Sequence, residues 1–188
     1  MLLVIGITGA SGAVYGVRLL EILKQTNDVE THLIISKAGE NIIQCETNYE
    51  INQVKKLAKF CYDIDDLKAP ISSASFLTDG MVVAPCSMKT TSAIANSYAD
   101  NLLVRAADVT LKEKRALILV TRETPLHQGH LRNMLRLAEM GAIILPPMPS
   151  FYHMPKNVDD IVDHTIAKVL DLLAIRHTLS RRWSGVEN

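Results

Sequence analysis

The sequence predicts an α/β fold, with a doubly wound, mostly parallel sheet and helices on both faces. Two observations predict it. Short runs of apolar, often β-branched residues alternate along the chain with longer segments whose apolar residues recur at helical spacing. The apolar runs do not alternate with polar residues, which is typical of strands buried on both faces of a parallel sheet.

The predicted strands are apolar runs bounded by polar residues, glycine or proline. In chain order they are 2–7, 31–36, 81–85, 116–121 and 142–145. In an open sheet of this kind, ligands bind beyond the carboxyl ends of the strands. The residues that directly follow each strand are therefore the first candidates for a site.

The predicted helices carry apolar residues at helical spacing. They are 14–23, 37–45, 51–60, 90–95, 102–112, 131–140 and 158–173. Gly141 is expected to end the helix 131–140 as a C-cap. Residues 62–78 are the least regular part of the chain and are predicted to form a surface or active-site loop.

Length and composition predict a single domain over 1–188, with a polar tail from about 176. The 20 Lys and Arg balance the 20 Asp and Glu, so no net charge favours nucleic acid or a membrane surface as a partner. Three scattered cysteines (Cys45, Cys61 and Cys86) do not suggest a disulfide framework and favour a reducing, cytoplasmic location. The apolar start is expected to be a strand, because it is too short for a membrane span and lacks a basic n-region.

The first candidate site is the turn Gly9-Ala10-Ser11-Gly12, which follows the first strand. A helix that begins there presents free backbone N–H groups and the positive end of its dipole, which suit a phosphate. The glycine spacing does not match the G-x-G-x-x-G dinucleotide motif, and no Walker lysine follows. The turn thus favours a mononucleotide or a small phosphate over NAD or ATP, and a tight turn without a ligand is the alternative.

Two further candidates follow the third and fourth strands. Ser87 and Thr90 bring hydroxyl groups to a helix start, where they either meet a ligand or cap the helix. Arg122 suits an anion and Glu123 suits a proton transfer, although a surface ion pair is the alternative. Two hydroxyl-rich turns in one sheet favour a shared ligand.

Three other patterns are interpreted as structural. Residues 159–163 spell D-D-x-x-D, which elsewhere holds magnesium against a diphosphate, but here they open a helix whose dipole acidic residues stabilise. His127 and His130 lack a further ligand at zinc spacing and are assigned to a helix start. Cys86 has no identifiable histidine partner and is not predicted to be a nucleophile. No metal is expected.

Taken in order, the motifs resemble the UbiX-type flavin prenyltransferase family, also described as the small subunit of aromatic acid decarboxylases. The resemblance covers residues 3–183 and implies a Rossmann-like flavoprotein fold. Each motif is weak alone, but the ordered set is specific. The motifs are Thr8-Gly9-Ala10-Ser11-Gly12, Ile35-Ser36-Lys37, Glu46-Thr47, Pro85-Cys86-Ser87-Met88-Lys89-Thr90, Asn101-Leu102, Arg105-Ala106-Ala107-Asp108-Val109, Leu111-Lys112-Glu113, Arg122-Glu123, Phe151-Tyr152 and Arg182-Trp183.

The resemblance implies that the chain joins reduced FMN to dimethylallyl phosphate without a metal, first at flavin N5 and then at C6. The product is prenylated FMN for a UbiD-type decarboxylase. The positions similar to the family's flavin contacts are Gly9, Ala10, Ser11, Ser36, Ser87, Met88, Lys89, Thr90 and Arg122. The positions similar to its prenyl-phosphate site are Glu46, Arg105, Lys112, Tyr152 and Lys168, with Trp183 expected to face the allylic cation. Ser11 and Glu123 match the groups that relay protons near N5.

The resemblance also implies a homo-oligomer with sites at subunit interfaces. The alternative function is an FMN-binding subunit or enzyme of aromatic or hydroxybenzoate acid decarboxylation. An FMN-dependent cysteine decarboxylase is disfavoured, because the second helix has no histidine and Pro146-Pro147-Met148-Pro149 stands where such enzymes carry a P-x-M-N-x-x-M-W pattern.

Overall fold

The computed structural model describes residues 1–179. The chain forms two compact units that divide after Pro147, and each is described by itself. The single domain expected over 1–188 stays a prediction.

The first unit is built on one six-stranded sheet in which every neighbouring pair of strands is parallel. The strands are β1 (Leu2–Ile7), β2 (Glu30–Ile35), β3 (Phe60–Tyr62), β4 (Gly80–Cys86), β5 (Ala116–Thr121) and β6 (Ile143–Ile144). Their order across the sheet is β3-β2-β1-β4-β5-β6. The predicted α/β parallel sheet is confirmed, and β1 and β4 are its two central neighbours.

The helices of the first unit pack in two groups. They are α1 (Ala13–Gln25), α2 (Lys37–Glu46), α3 (Ile51–Lys55), α4 (Met88–Ala95), α5 (Leu102–Lys112) and α6 (Gln128–Glu139). Helix α1 contacts α2, and α2 contacts α3, whereas α4 contacts both α5 and α6. The chain leaves β1 and β4 in opposite directions across the sheet, so right-handed crossovers place the two groups on opposite faces.

The prediction of a helix over 51–60 is correct for residues 51–55 and wrong for residues 56–60. Helix α3 ends at Lys55, and Phe60 begins the edge strand β3, where it pairs with His32 of β2. The Lys59 amide donates to Thr31 Oγ1 at 3.3 Å, and the His32 ring stacks on Phe60 at a centroid distance of 4.9 Å. These long-range contacts outweigh the local helical spacing, and a three-residue strand carries too little pattern to be recognised.

The core of the first unit follows from the apolar strands. Leu3, Ile5, Met81 and Val83 have no exposed surface, as expected for strands covered on both faces. Helix α6 ends as predicted, because Gly141 has a φ of +101° and donates its amide to Ala138 O at 3.0 Å.

The second unit contains helix α7, Val158–Leu172. The Asn157 side chain caps it by accepting the Asp160 amide at 2.9 Å, and the Asp160 carboxylate accepts the Lys156 amide at 2.6 Å. The acidic run 159–163 therefore belongs to the helix start, as predicted. No helix within residues 1–179 is both long enough and apolar enough to cross a lipid bilayer.

Candidate functional site

A cleft of about 730 Å³ opens at the carboxyl ends of the central strands β1, β2 and β4, a volume suited to a small-molecule ligand. The connections that follow β1 and β4 run in opposite directions across the sheet, and the crevice between two such strands is the usual ligand site of an open α/β sheet. The lining residues come from the turns after these strands, the start of α2, the segment after β3, helices α4 and α5 and the segment between those two helices. They are Thr8, Gly9, Ser36, Lys37, Ala38, Ile64, Asp65, Ser87, Lys89, Thr90, Ser92, Ala93, Asn96, Tyr98, Asp100, Asn101, Leu103 and Val104.

One wall of the cleft depends on two glycines that let α2 lie directly against the end of β1. A Cβ atom added to Gly9 would lie 2.4 Å from Ala38 Cβ, and one added to Gly39 would lie 2.6 Å from Ile7 O. Larger residues at either position would push α2 away from the strand. The glycines thereby bring the β1–α1 turn next to Ser36, the N-cap of α2.

Two helices begin at the cleft. Ser36 Oγ caps α2 by accepting the Gly39 amide at 3.0 Å, and Ser87 Oγ caps α4 by accepting the Thr90 amide at 3.3 Å. The capping alternative for Ser87 is thus confirmed, yet both serines also line the cleft. The positive ends of two helix dipoles and their first amides converge there, and this arrangement suits a phosphate group.

Thr8 connects the turn after β1 to the turn after β4, a role that the sequence did not reveal. Thr8 is 1% exposed, and its hydroxyl donates to Pro85 O at 2.8 Å and accepts from the Ser87 amide at 2.8 Å. The end of β1 is thus linked to the start of α4. A polar residue that ends an apolar strand was the available signal.

The N-terminus of α1 differs from the sequence-based expectation. Its Gly12 and Ala13 amides, expected to be free for a phosphate, donate to Glu46 Oε2 at 2.7 and 3.2 Å. Partial burial opposes the charge of Glu46, but hydrogen bonds from Ser11, Gly12 and Ala13 and the nearby charge of Arg122 together lower its pKa. The structure therefore brings Ser11 to the ionised Glu46 carboxylate with Arg122 nearby, and the helix starts that line the cleft are those of α2 and α4.

The other predicted flavin-side residues lie near these turns. Ala10 is in the β1–α1 turn, and Met88 and Lys89 open α4. Arg122 donates its amide to Cys86 O at 3.2 Å, which places it beyond the ends of β4 and β5. Glu123 is exposed, and its carboxylate accepts the Thr124 amide at 3.0 Å.

Two predicted phosphate-site residues, Arg105 and Lys112, are placed apart from the cleft lining. Both belong to α5. The Arg105 guanidinium donates to Ser72 O at 3.1 Å and pairs with Asp108 at 3.0 Å. Lys112 pairs with Glu113 at 2.9 Å.

In the second unit, Tyr152 and Lys168 gather around one histidine. The Tyr152 ring stands edge-on to His164, with centroids 5.6 Å apart and planes at 81°. Burial and then the neighbouring charges of His153 and Lys168 lower the pKa of His164, so the Lys168 ammonium lies near the same ring. Tyr152 and Lys168, 16 positions apart in the sequence, are thus brought together. Trp183 lies outside the described residues.

Two residues that the sequence analysis did not assign to the site have inert or structural roles. Burial raises the pKa of the Cys86 thiol to about 12, which leaves it unreactive near neutral pH. His127 caps α6, because its Nδ1 accepts the Gly129 and His130 amides. Within residues 1–179, no three His, Cys, Asp or Glu side chains gather closely enough to hold a metal ion.

Comparison with known proteins agrees with this architecture. Residues 1–177 match the Flavoprotein family. The flavin prenyltransferase UbiX of Escherichia coli (strain K12) is 52% identical over 185 residues, covering 97% of this chain and 98% of that protein.

Two solved structures are similar over nearly their whole length. A dodecameric FMN-dependent UbiX-like decarboxylase from Escherichia coli O157:H7 has a TM-score of 0.97 and 52% identity, covering 98% of this chain and 100% of the other. AnUbiX (PadA1), in complex with FMN and dimethylallyl pyrophosphate, has a TM-score of 0.96 and 46% identity, covering 99% and 98%. The chain belongs to the Flavoprotein family and, within it, to the UbiX-type flavin prenyltransferases.

Proposed function

We propose that this chain transfers the dimethylallyl group of dimethylallyl phosphate to reduced FMN, forming the bond to N5 and then the bond to C6. The identity with the Escherichia coli flavin prenyltransferase over almost the whole of both chains carries this proposal. The solved relative in complex with FMN and dimethylallyl pyrophosphate supports FMN as the acceptor and a phosphate ester of the dimethylallyl group as the donor.

The FMN phosphate is proposed to bind at the starts of α2 and α4. Ser36, Ser87 and Thr90 line the cleft there. The Ser87 hydroxyl donates to Thr90 Oγ1 at 3.2 Å, so Ser36 and Thr90 are the hydroxyls that can donate to a phosphate, while the two helix dipoles and Lys89 favour negative charge. The remaining flavin contacts carried over from the family resemblance are Gly9, Ala10, Ser11, Met88 and Arg122.

The chemistry needs proton transfers at the flavin. As N5 bonds to the prenyl carbon and the phosphate leaves, N5 loses a proton; ring closure at C6 then requires one proton to reach the prenyl double bond and another to leave C6. Ser11, hydrogen-bonded to the ionised Glu46, and Glu123, exposed beyond β5, are the groups proposed to move them.

The donor phosphate is proposed to bind Tyr152 and Lys168, whose ammonium stabilises the negative charge that develops as the phosphate departs. The family resemblance adds three further residues to the proposed donor-phosphate site, namely Glu46, Arg105 and Lys112. Trp183 is proposed to face the allylic cation. The dimethylallyl monophosphate is the proposed donor, and no metal is required.

A homo-oligomer with sites at subunit interfaces is also proposed. The dodecameric relative supports it, and so does the apolar surface of α6, where Leu131 is 52% and Leu135 is 61% exposed on one helix face. The product is proposed to pass to a UbiD-type decarboxylase. A cytoplasmic location is proposed because Cys45, Cys61 and Cys86 are all free thiols.

The test is mass spectrometry of the flavin extracted after anaerobic incubation of the purified protein with reduced FMN and dimethylallyl phosphate. The expected result is a flavin heavier by one C5H8 unit, formed only when both substrates and the protein are present. Unchanged FMN would refute prenyl transfer. In that case, release of CO2 from an aromatic acid by the FMN-loaded protein would favour the decarboxylase alternative.

A further inference from the structure

The side chains proposed to hold the prenyl phosphate surround a pair of stacked histidines in the second unit. The imidazoles of His153 and His164 have centroids 4.5 Å apart and planes 9° apart. The Tyr152 ring stands edge-on to both of them. Lys168 follows His164 by four residues on α7, so these two side chains share one face of the helix. His164 is therefore the common neighbour of both proposed phosphate ligands.

Each imidazole of the pair has one buried nitrogen without a hydrogen-bond partner among the described residues. These atoms are His153 Nε2 and His164 Nδ1. Leaving a buried polar atom unpaired is unfavourable, and an apolar ring of the same size would avoid that cost. By contrast, the other nitrogen of His153 has a partner, because its Nδ1 lies 3.3 Å from Ser150 Oγ. The unpaired nitrogens leave hydrogen-bonding capacity beside Tyr152 and Lys168 that a bound group can use.

The charge state of His164 suits a donor to an anion beside Lys168. Burial, His153 and Lys168 all lower the pKa of His164, so its ring is neutral at physiological pH. A neutral ring stacks on His153 without repulsion and keeps one N–H to donate. In the tautomer protonated at Nδ1, that donor is the nitrogen that lacks a partner.

We propose that His164 is a third member of the prenyl-phosphate site, donating its Nδ1–H to the phosphate that Tyr152 and Lys168 hold. His153 is the positioning residue that orients the His164 ring by stacking, and Ser150 orients His153 in turn. This inference rests on the proposed function, because it takes Tyr152 and Lys168 as the phosphate ligands. The site then combines one cation with a phenol and an imidazole, which together bind a phosphate oxyanion.

Two substitutions separate the hydrogen bond from the packing. His164→Phe keeps a stacking ring and removes the N–H, whereas His164→Asn removes the ring and keeps an amide N–H near the position of Nδ1. With reduced FMN saturating, His164→Phe is expected to raise the KM for dimethylallyl phosphate by about tenfold or more, the usual effect of losing a hydrogen bond to a charged group. His164→Asn is expected to stay within about threefold of wild type. The FMN affinity of both variants should be unchanged.

His130→Phe is the matched control. His130 also stacks on a histidine, with its centroid 3.5 Å from that of His127, and its Nδ1 is also buried without a partner among residues 1–179. It lies at the start of α6, so its replacement should leave the donor KM at the wild-type value. An equal rise in KM for His130→Phe would overturn the proposal, since the effect would then not depend on the site.

Reference variants distinguish the failure of this inference from that of the proposed function. If Tyr152→Phe and Lys168→Ala raise the donor KM but His164→Phe does not, the inference is wrong and the function stands. If Lys168→Ala also leaves KM unchanged, the phosphate site itself is misplaced and the inference fails with it.

If His164→Phe does not fold, His164→Gln replaces it, because the glutamine amide lies near the position of the histidine Nε2 and not of Nδ1. A rise in KM for glutamine but not asparagine supports the proposal, and equal values overturn it.

Discussion

The buried hydroxyl of Thr8 gives the sharpest test of how the fold builds the flavin phosphate site. Thr8→Val keeps the shape of the side chain and removes the hydroxyl that links Pro85 O to the Ser87 amide. Pro85 O keeps the Thr8 amide as a donor at 3.2 Å, whereas the Ser87 amide loses its acceptor. One lost hydrogen bond and one unpaired amide are worth about 2–3 kcal/mol of unfolding free energy. For a chain of this size, Tm should fall by roughly 4–12 °C.

The same substitution should also weaken FMN binding, because Ser87 is the N-cap of α4 and its position aligns the first amides of that helix. We expect the Kd for FMN, measured by quenching of flavin fluorescence, to rise by about tenfold. Thr8→Ser keeps the hydroxyl and should retain FMN affinity. Thr110→Val is the matched control, since Thr110 is 2% exposed and its hydroxyl donates to Ala106 O within α5. Wild-type Tm and FMN affinity in Thr8→Val, or an equal loss of affinity in Thr110→Val, would refute the reasoning.

Four further predictions concern the reaction and the charges of the site. Glu123→Gln should keep FMN affinity and slow product formation by about 10²–10⁴-fold; comparable turnover would remove Glu123 from the mechanism. Lys168→Ala should raise the donor KM by about tenfold or more, and Lys168→Arg should retain activity because the guanidinium also binds phosphate; a wild-type KM in the alanine variant contradicts this. Product formation should continue in EDTA, and a loss that magnesium reverses would reassign residues 159–163 to a metal site. Finally, the lowered pKa of Glu46 means that its charge stabilises the fold above the ordinary value of 4.5, and that this contribution is lost as pH falls through the lower folded pKa. The difference in Tm between wild type and Glu46→Gln should therefore shrink below that pH, and a constant difference would contradict the assignment.

The sheet could be predicted from the sequence where the strands are long and apolar. The bounds of β1, β5 and α5 agree with the predicted 2–7, 116–121 and 102–112, because burial on both faces or on one helix face leaves a clear periodicity. Strand β3 was not predicted from the sequence. Its three residues are held by pairing with β2 and by the ring of His32, and neither contact leaves a local pattern.

The side of the sheet on which a ligand binds was also visible in the sequence, because the carboxyl ends of parallel strands lie at one edge. Ser87 could be placed at that edge from its position after an apolar run, whereas Ser36 was assigned to the flavin site only by the family resemblance. The sequence also supplied the ordered motifs that indicate the family. The partner of each polar group was not visible.

Only the tertiary structure decided which polar groups meet. Glu46 reaches the Gly12 amide across 34 residues, and it does so because Gly9 lets α2 pack against the first turn. Thr8 meets Ser87 across 79 residues because β1 and β4 are neighbours in the sheet. Hydrogen bonds act over about 3 Å, so their pairing depends on packing distances that no local pattern of residue types specifies.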